Sequence, residues 1–116
     1  MWIIVGGRQT RAIVEAIREY HDTELEGVEM VEDVRNKNEY GEVKCITILD
    51  AGLSSLKDWQ PFKRVRREFD GVDILLYTRY PDLTPEESAL GDKVRVFASE
   101  KSISISDVAK RLTHFK

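Results

Sequence analysis

Short apolar runs and amphipathic stretches alternate along the chain. Trp2 to Val5 is apolar without a break and stops at Gly6-Gly7; from Arg8 to Tyr20 the positions Ile13, Ala16, Ile17 and Tyr20 recur at helical spacing. The first unit therefore reads as strand, glycine turn and amphipathic helix. Val28 to Val34 alternates Val28 and Met30 with Glu29 and Glu32, which predicts a half-exposed strand running into a polar segment, Arg35 to Glu42. Val43 to Asp50 predicts a third strand whose body, Cys45 to Leu49, is apolar or β-branched up to the terminal carboxylate, the pattern of a central strand covered on both faces. Pro61 suits the first turn of a helix, in which Phe62, Val65, Arg66 and Phe69 trace an inner stripe under a basic outer face; Asp70-Gly71 ends it. Val72 to Thr78 predicts a fourth strand, closed by Pro81. Thr84-Pro85-Glu86-Glu87 reads as an N-cap, a proline at the first helical position and an acidic first turn. Val94, Val96 and Phe97 mark a fifth strand. The last predicted helix starts near Ile105, capped by Ser104 or Ser106, with Val108, Ala109 and Leu112 facing inward.

Alternation of strand and helix without repeats or low-complexity linkers predicts βαβ units with right-handed crossovers. The expected fold is α/β, a flavodoxin-like three-layer α/β/α sandwich on a five-stranded parallel sheet of order 2-1-3-4-5.

Composition adds limits. A length of 116 residues with 41% hydrophobic positions supports one core, hence a single domain over 1–116. A net charge of −3 with 34% charged residues gives no electrostatic reason for nucleic acid or an anionic membrane as partner. Proteins or small molecules are the expected partners, and the basic run Lys63, Arg64, Arg66, Arg67 reads as a solvated helix face. The one cysteine, Cys45, sits inside an apolar run and reads as a buried small hydrophobe, which fits a reducing cytoplasm. No window approaches the roughly 18 apolar residues of a spanning helix, and the opening segment lacks the basic flank of a signal peptide. His21 and His114 are too far apart to suggest a metal site, and Ser54, Ser55 and Cys45 have no nearby histidine to activate them.

The chemistry that remains lies where the strands end. The predicted C-terminal tips carry Gly6 and Gly7, then Asp50, Thr78 and Lys101. A carboxylate, a hydroxyl and an ammonium on neighbouring tips suit an anion attached to the carboxylate. Four segments, "WIIVGGRQTRAIVEAI", "ITILDAGL", "ILLYTRYPDL" and "FASEKSISISDVAKRL", together resemble the receiver (CheY-like) domain of two-component response regulators. In that family Asp50 would be the phosphoacceptor, with Thr78 and Lys101 as its supporting hydroxyl and lysine.

The departures from the family are as informative as the matches. Receivers hold Mg²⁺ with an acidic pair at the first strand tip, and Gly6 and Gly7 occupy that place here. Ser102 replaces a proline after the lysine, and Ala98 replaces an aromatic residue that has shifted to Phe97. Arg8 follows the glycines and is positioned as a cation in place of the metal. The resemblance thus implies a pseudoreceiver: non-enzymatic, cofactor-free, independent of phosphorylation, cytoplasmic, and acting through a protein partner or homodimer, alone or at the front of a longer regulatory protein. Asp50 would then cap a loop or pair with Lys101. The face that commonly dimerises in the family maps to about Thr84 to Lys116, with Tyr80, Leu83, Leu90, Phe97 and Phe115 as the apolar candidates. Two alternatives stand beside this reading. One is a true phosphoacceptor whose Mg²⁺ ligands come from Asp22, Glu24 or Glu32. The other is a small nucleotide-binding flavodoxin-like domain with phosphate at Gly6-Gly7, although GGRQTR matches neither common phosphate-loop pattern.

Overall fold

The computed structural model describes residues 1–99 together with Ser106, Ala109 and Lys110. Strands β1 (Trp2–Val5), β2 (Leu25–Val28), β3 (Cys45–Leu49), β4 (Asp73–Thr78) and β5 (Val94–Ala98) form one parallel sheet in the order β2-β1-β3-β4-β5. The fold is flavodoxin-like α/β, as the alternation predicts. Helices α1 (Thr10–Arg18), α2 (Gln60–Glu68) and α3 (Glu87–Leu90) connect the strands, with 3₁₀ turns between them.

The two-residue period of a strand sorts its side chains onto two layers. Trp2 and Ile4 of β1 meet Ile13, Val14 and Ile17 of α1, and Ala109 lies in the same layer. Ile3 and Val5 turn the other way, onto Phe62 and Val65 of α2 and the adjoining Phe69. All of β3 is buried, as its unbroken apolar run predicts. Thr47 in the middle of β3 is fully buried too. Its hydroxyl accepts the Trp2 indole N–H at 2.8 Å, which offsets the cost of burying both polar groups.

Four expectations are corrected. The second strand is Leu25–Val28, not Val28 to Val34. Val31 and Val34 are buried at 1% and 3% exposure, but they project from a 3₁₀ turn, Val31–Asp33, onto the α2 side. Three-residue spacing places both on one side of such a turn, and the alternating charges between them mimic a strand. Arg64 of α2 holds the segment by donating to the carbonyls of Val31 (3.3 Å) and Val34 (3.0 Å). In α1, Tyr20 lies past the helix end and is exposed, while Thr10 and Val14 complete the inner stripe. Thr84 is not an N-cap: α3 starts at Glu87, and the Thr84 hydroxyl donates to the Tyr80 carbonyl at 2.9 Å.

Arg66 is the fourth. It belongs to the interior, as its place in the inner stripe of α2 predicts, and not to the solvated face its place in the basic run suggests, with the residue only 8% exposed. Its guanidinium donates to the carbonyls of Val72 (2.6 Å), Asp92 (2.9 Å) and Phe69. The stem lies against Gly91, where a Cβ would come within 2.8 Å of Arg66 Cγ. Burial pulls the pKa of the guanidinium down, opposed by the carboxylates of Asp70, Asp92 and Asp73. One side chain thus ties the end of α2 to the entries of β4 and β5.

Glu87 of α3 reaches the outer edge of the sheet, where its carboxylate accepts the Val96 N–H of β5 at 3.0 Å. No helix among the described residues is long and apolar enough to cross a membrane.

Candidate site at the strand tips

From β1 the chain crosses to β2 on one side and later places β3 on the other, so the topological switch point lies between the tips of β1 and β3. Ligands of open α/β sheets favour that crevice, and here it is closed by backbone. Gly7 has φ +64°, and a Cβ there would lie 2.3 Å from the Ala51 carbonyl oxygen. A Cβ on Gly52 would lie 2.7 Å from Val5 Cγ1. The two glycines let the turns after β1 and β3 meet main chain to main chain.

The same turn spends the amides of Gly6, Gly7, Gln9 and Thr10. The Thr10 hydroxyl accepts the Gly6 N–H at 2.8 Å and donates toward the carbonyls of Gly7 (2.8 Å) and Val28 (3.1 Å). Gly7 N–H donates to the Glu29 carbonyl at 2.7 Å, Gln9 N–H to the Gly6 carbonyl at 3.3 Å, and Thr10 N–H to Gly7. A phosphate cradle needs such donors pointing outward. Thr10→Val, which keeps the shape and loses the hydroxyl, is expected to lower stability by about 2 kcal/mol, because it strands the Gly6 N–H and the Val28 carbonyl, while the Gly7 carbonyl keeps the Thr10 N–H. Urea unfolding measures this.

Asp50 follows β3, and its side chain is only 9% exposed. Its Oδ2 accepts the backbone N–H of Arg79 at 3.0 Å and stands 3.7 Å from Arg79 Nε. The Arg79 guanidinium in turn lies over the Tyr80 ring, 5.7 Å from its centre. Among the described residues, then, the cation beside Asp50 is Arg79 and not Arg8, which is exposed and lines a groove between α1 and β2. The register explains why: β3 and β4 pair with Leu49 beside Tyr77, so the residue one past Thr78 arrives next to Asp50.

Thr78 is fully buried, and its hydroxyl serves the loop. Oγ1 accepts the Tyr80 N–H at 3.0 Å and lies 3.2 Å from Thr84 Oγ1. Lys101, Ser102 and Phe115 lie outside the described residues.

The alternative metal ligands do not assemble. The Trp2 N–H donates to the Glu24 carbonyl at 2.9 Å, which places Asp22 and Glu24 at the opposite end of the sheet from Asp50. A four-residue strand at ~3.3 Å per residue separates the two ends by about 13 Å. Glu32 accepts the Ser54 hydroxyl at 3.0 Å. Among the described residues no three His, Cys, Asp or Glu side chains gather as a metal would need.

The expected apolar face is reduced as well. Leu90 is buried at 1% exposure beneath α3, because the last residue of so short a helix turns inward to the α2-side core. Phe97 is half-buried against the α1-side core. Tyr80 and Leu83 are exposed, at 46% and 55%. No family model matches the chain, and no curated protein or solved structure does either.

Proposed function

We propose that this protein is a receiver-like regulatory module that works by protein contact and without phosphorylation. The observation that carries the reading is the state of Asp50: its Oδ2 is held by the Arg79 amide at 3.0 Å and faces a guanidinium. A phosphoacceptor carboxylate must give one oxygen to the incoming group and the other to the Mg²⁺ that neutralises the developing charge, and in Asp50 the second oxygen is spent on the Arg79 amide. The residues around Asp50 do not fit that ion. Mg²⁺ asks for several oxygen ligands in octahedral array, and the tip of β1 supplies glycine backbone pressed against Ala51.

The nucleotide-binding alternative is weakened by the inward amides of the Gly6-Gly7 turn. Burial of Cys45 at 5% exposure suits a chain working in a reducing cytoplasm.

Incubation with acetyl phosphate and Mg²⁺, followed by intact-mass measurement, tests the proposal. No adduct is expected at Asp50. A Mg²⁺-dependent gain of one phosphoryl group that disappears in Asp50→Asn would overturn the reading. Asp50→Ala should also lower stability by about 1–2 kcal/mol, since it removes the acceptor for the Arg79 amide. A phosphoacceptor held away from its neighbours would show little change in the same thermal scan.

A further inference from the structure

We propose that two copies of this protein join through the outer edge of β2, antiparallel about Gly27, into one continuous sheet. This deepens the reading above by naming the partner, and it rests on that reading only in taking the protein to act through contacts.

The edge is open. The Trp2 N–H bond to the Glu24 carbonyl sets the phase of the β1–β2 ladder, so Glu24, Glu26 and Val28 point their backbone groups inward and Leu25 and Gly27 point theirs outward. No described residue pairs with those outward groups. The opposite edge of the sheet differs, since Glu87 occupies the Val96 N–H.

The edge is also self-complementary in charge. Residues 24 to 30 read Glu-Leu-Glu-Gly-Val-Glu-Met. With Gly27 opposite Gly27 of a second copy, Glu24 faces Met30, Leu25 faces Glu29, and Glu26 faces Val28. No glutamate then opposes a glutamate. Sliding the two-fold centre to position 26 puts Glu26 against itself, and the intermediate registers on either side pair Glu24 or Glu26 with Glu29. Like charges directly opposite destabilise antiparallel pairs, so the strand selects the Gly27 register. That register also suits the backbone at its centre, because antiparallel hydrogen bonds need outward-facing residues opposite each other and Gly27 is one. Glu29, opposite Leu25, lies beyond β2 with its carbonyl given to the Gly7 N–H, so the shared ladder rests on the Gly27 pair and Glu29 contributes its charge.

Beside the edge lies a groove of about 640 Å³ lined by Arg11, Val14 and Arg18 of α1 and by Gly27 and Glu29. Gly27 shapes it: a Cβ there would meet Thr10 Cγ2 at 2.8 Å and Val14 Cγ2 at 3.2 Å, so α1 sits down on β2 and leaves room outside. Thr10 bonds the Val28 carbonyl and Val14 stands beside Gly27, so α1 descends as β2 rises, and Arg18, one turn beyond Val14, falls toward Leu25 and away from Glu29. An antiparallel second copy brings its Glu29 to Leu25, hence to Arg18, twice over by symmetry. Glu26 needs no partner from the second copy, as Arg35 of its own chain bonds it at 2.7 Å.

Sedimentation equilibrium of the full chain over micromolar to millimolar concentrations tests this. A dimer is expected, with the Gly27 amide gaining protection from hydrogen exchange as concentration rises. Arg18→Glu and Glu29→Arg should each weaken the dimer by about tenfold. Combining both changes in one chain, or mixing the two single variants, should restore it, since either arrangement re-forms both ion pairs. Both sites are exposed, so the fold survives the changes, and circular dichroism verifies it. A chain that stays monomeric throughout, or a dimer indifferent to the charge reversals and without concentration-dependent protection at Gly27, overturns the proposal. Repeating the measurement in Asp50→Asn separates the two readings. A phosphoryl adduct at Asp50 would sink the contact-only function and leave the β2 dimer standing, whereas a monomer would sink the dimer and leave Asp50 as argued.

Discussion

Gly7→Ala should cost about 3 kcal/mol or more of folding stability, read as a lower denaturant midpoint with an unchanged slope. Two costs add at this position. The backbone sits at φ +64°, where a residue with a Cβ is strained by about 1–2 kcal/mol. The added methyl would also stand 2.3 Å from the Ala51 carbonyl oxygen, closer than any real contact, so the turn after β3 must shift. Forcing an extra carbon into a packed site typically costs a further 1–3 kcal/mol. Restoring the acidic pair of a working receiver by changing Gly6 and Gly7 to aspartate should therefore yield a poorly folded chain and no metal site. A well-folded Gly7→Asp variant that binds Mg²⁺ at Asp50 would contradict the closed crevice on which the functional reading depends.

The second large effect is expected from Arg66→Ala, at about 3–4 kcal/mol. Three backbone carbonyls, of Phe69, Val72 and Asp92, lose their donor together, and hydrogen bonds from a charged group contribute about 1.5–3 kcal/mol each before water replaces any of them. Arg66→Met retains much of the stem that packs on Gly91 and loses only the donors, so the difference between the two variants separates packing from hydrogen bonding. Arg67→Ala, on the exposed side of the same helix, should change stability by less than about 0.5 kcal/mol and serves as the control. Equal losses for Arg66 and Arg67 would mean that the staple carries no weight.

These effects bear on what the sequence revealed. The parallel sheet is the one that alternation predicts, because a run such as Cys45 to Leu49 is explained by cover on both faces, and α1 and α2 announced themselves by spacing and by proline; α3 starts later than Thr84-Pro85 suggests, and 3₁₀ turns take the place of a helix between β2 and β3. The segment from Val28 to Val34 misled because Val28 and Met30 alternate with Glu29 as a strand would, whereas Val31 and Val34 stand three apart, the spacing that a 3₁₀ turn and not a strand buries on one side. Arg66 was concealed for another reason: at helical spacing it occupies an inward position, but a guanidinium there is intelligible only once three unpaired carbonyls surround it, and their convergence is a tertiary fact. At the strand tips the carboxylate and hydroxyl were recognisable as Asp50 and Thr78. The cation beside Asp50 was misassigned to Arg8, since proximity in a parallel sheet depends on register as well as on the order of the strands. The closure of the crevice could not be read at all, because it arises where two glycine turns distant in sequence press their main chains together.

The carboxylate of Glu87 on the rim of β5 has a consequence for how large an assembly can grow. A filament of stacked sheets needs two adhesive ends per molecule, and Glu87 blunts one of them. Monomers meeting through their remaining end use it up on both sides at once, so growth halts at a pair. Deleting that carboxylate, by Glu87→Ala, frees the Val96 N–H on that rim, and if pairing through β2 holds, light scattering should report larger species for this variant than for the parent.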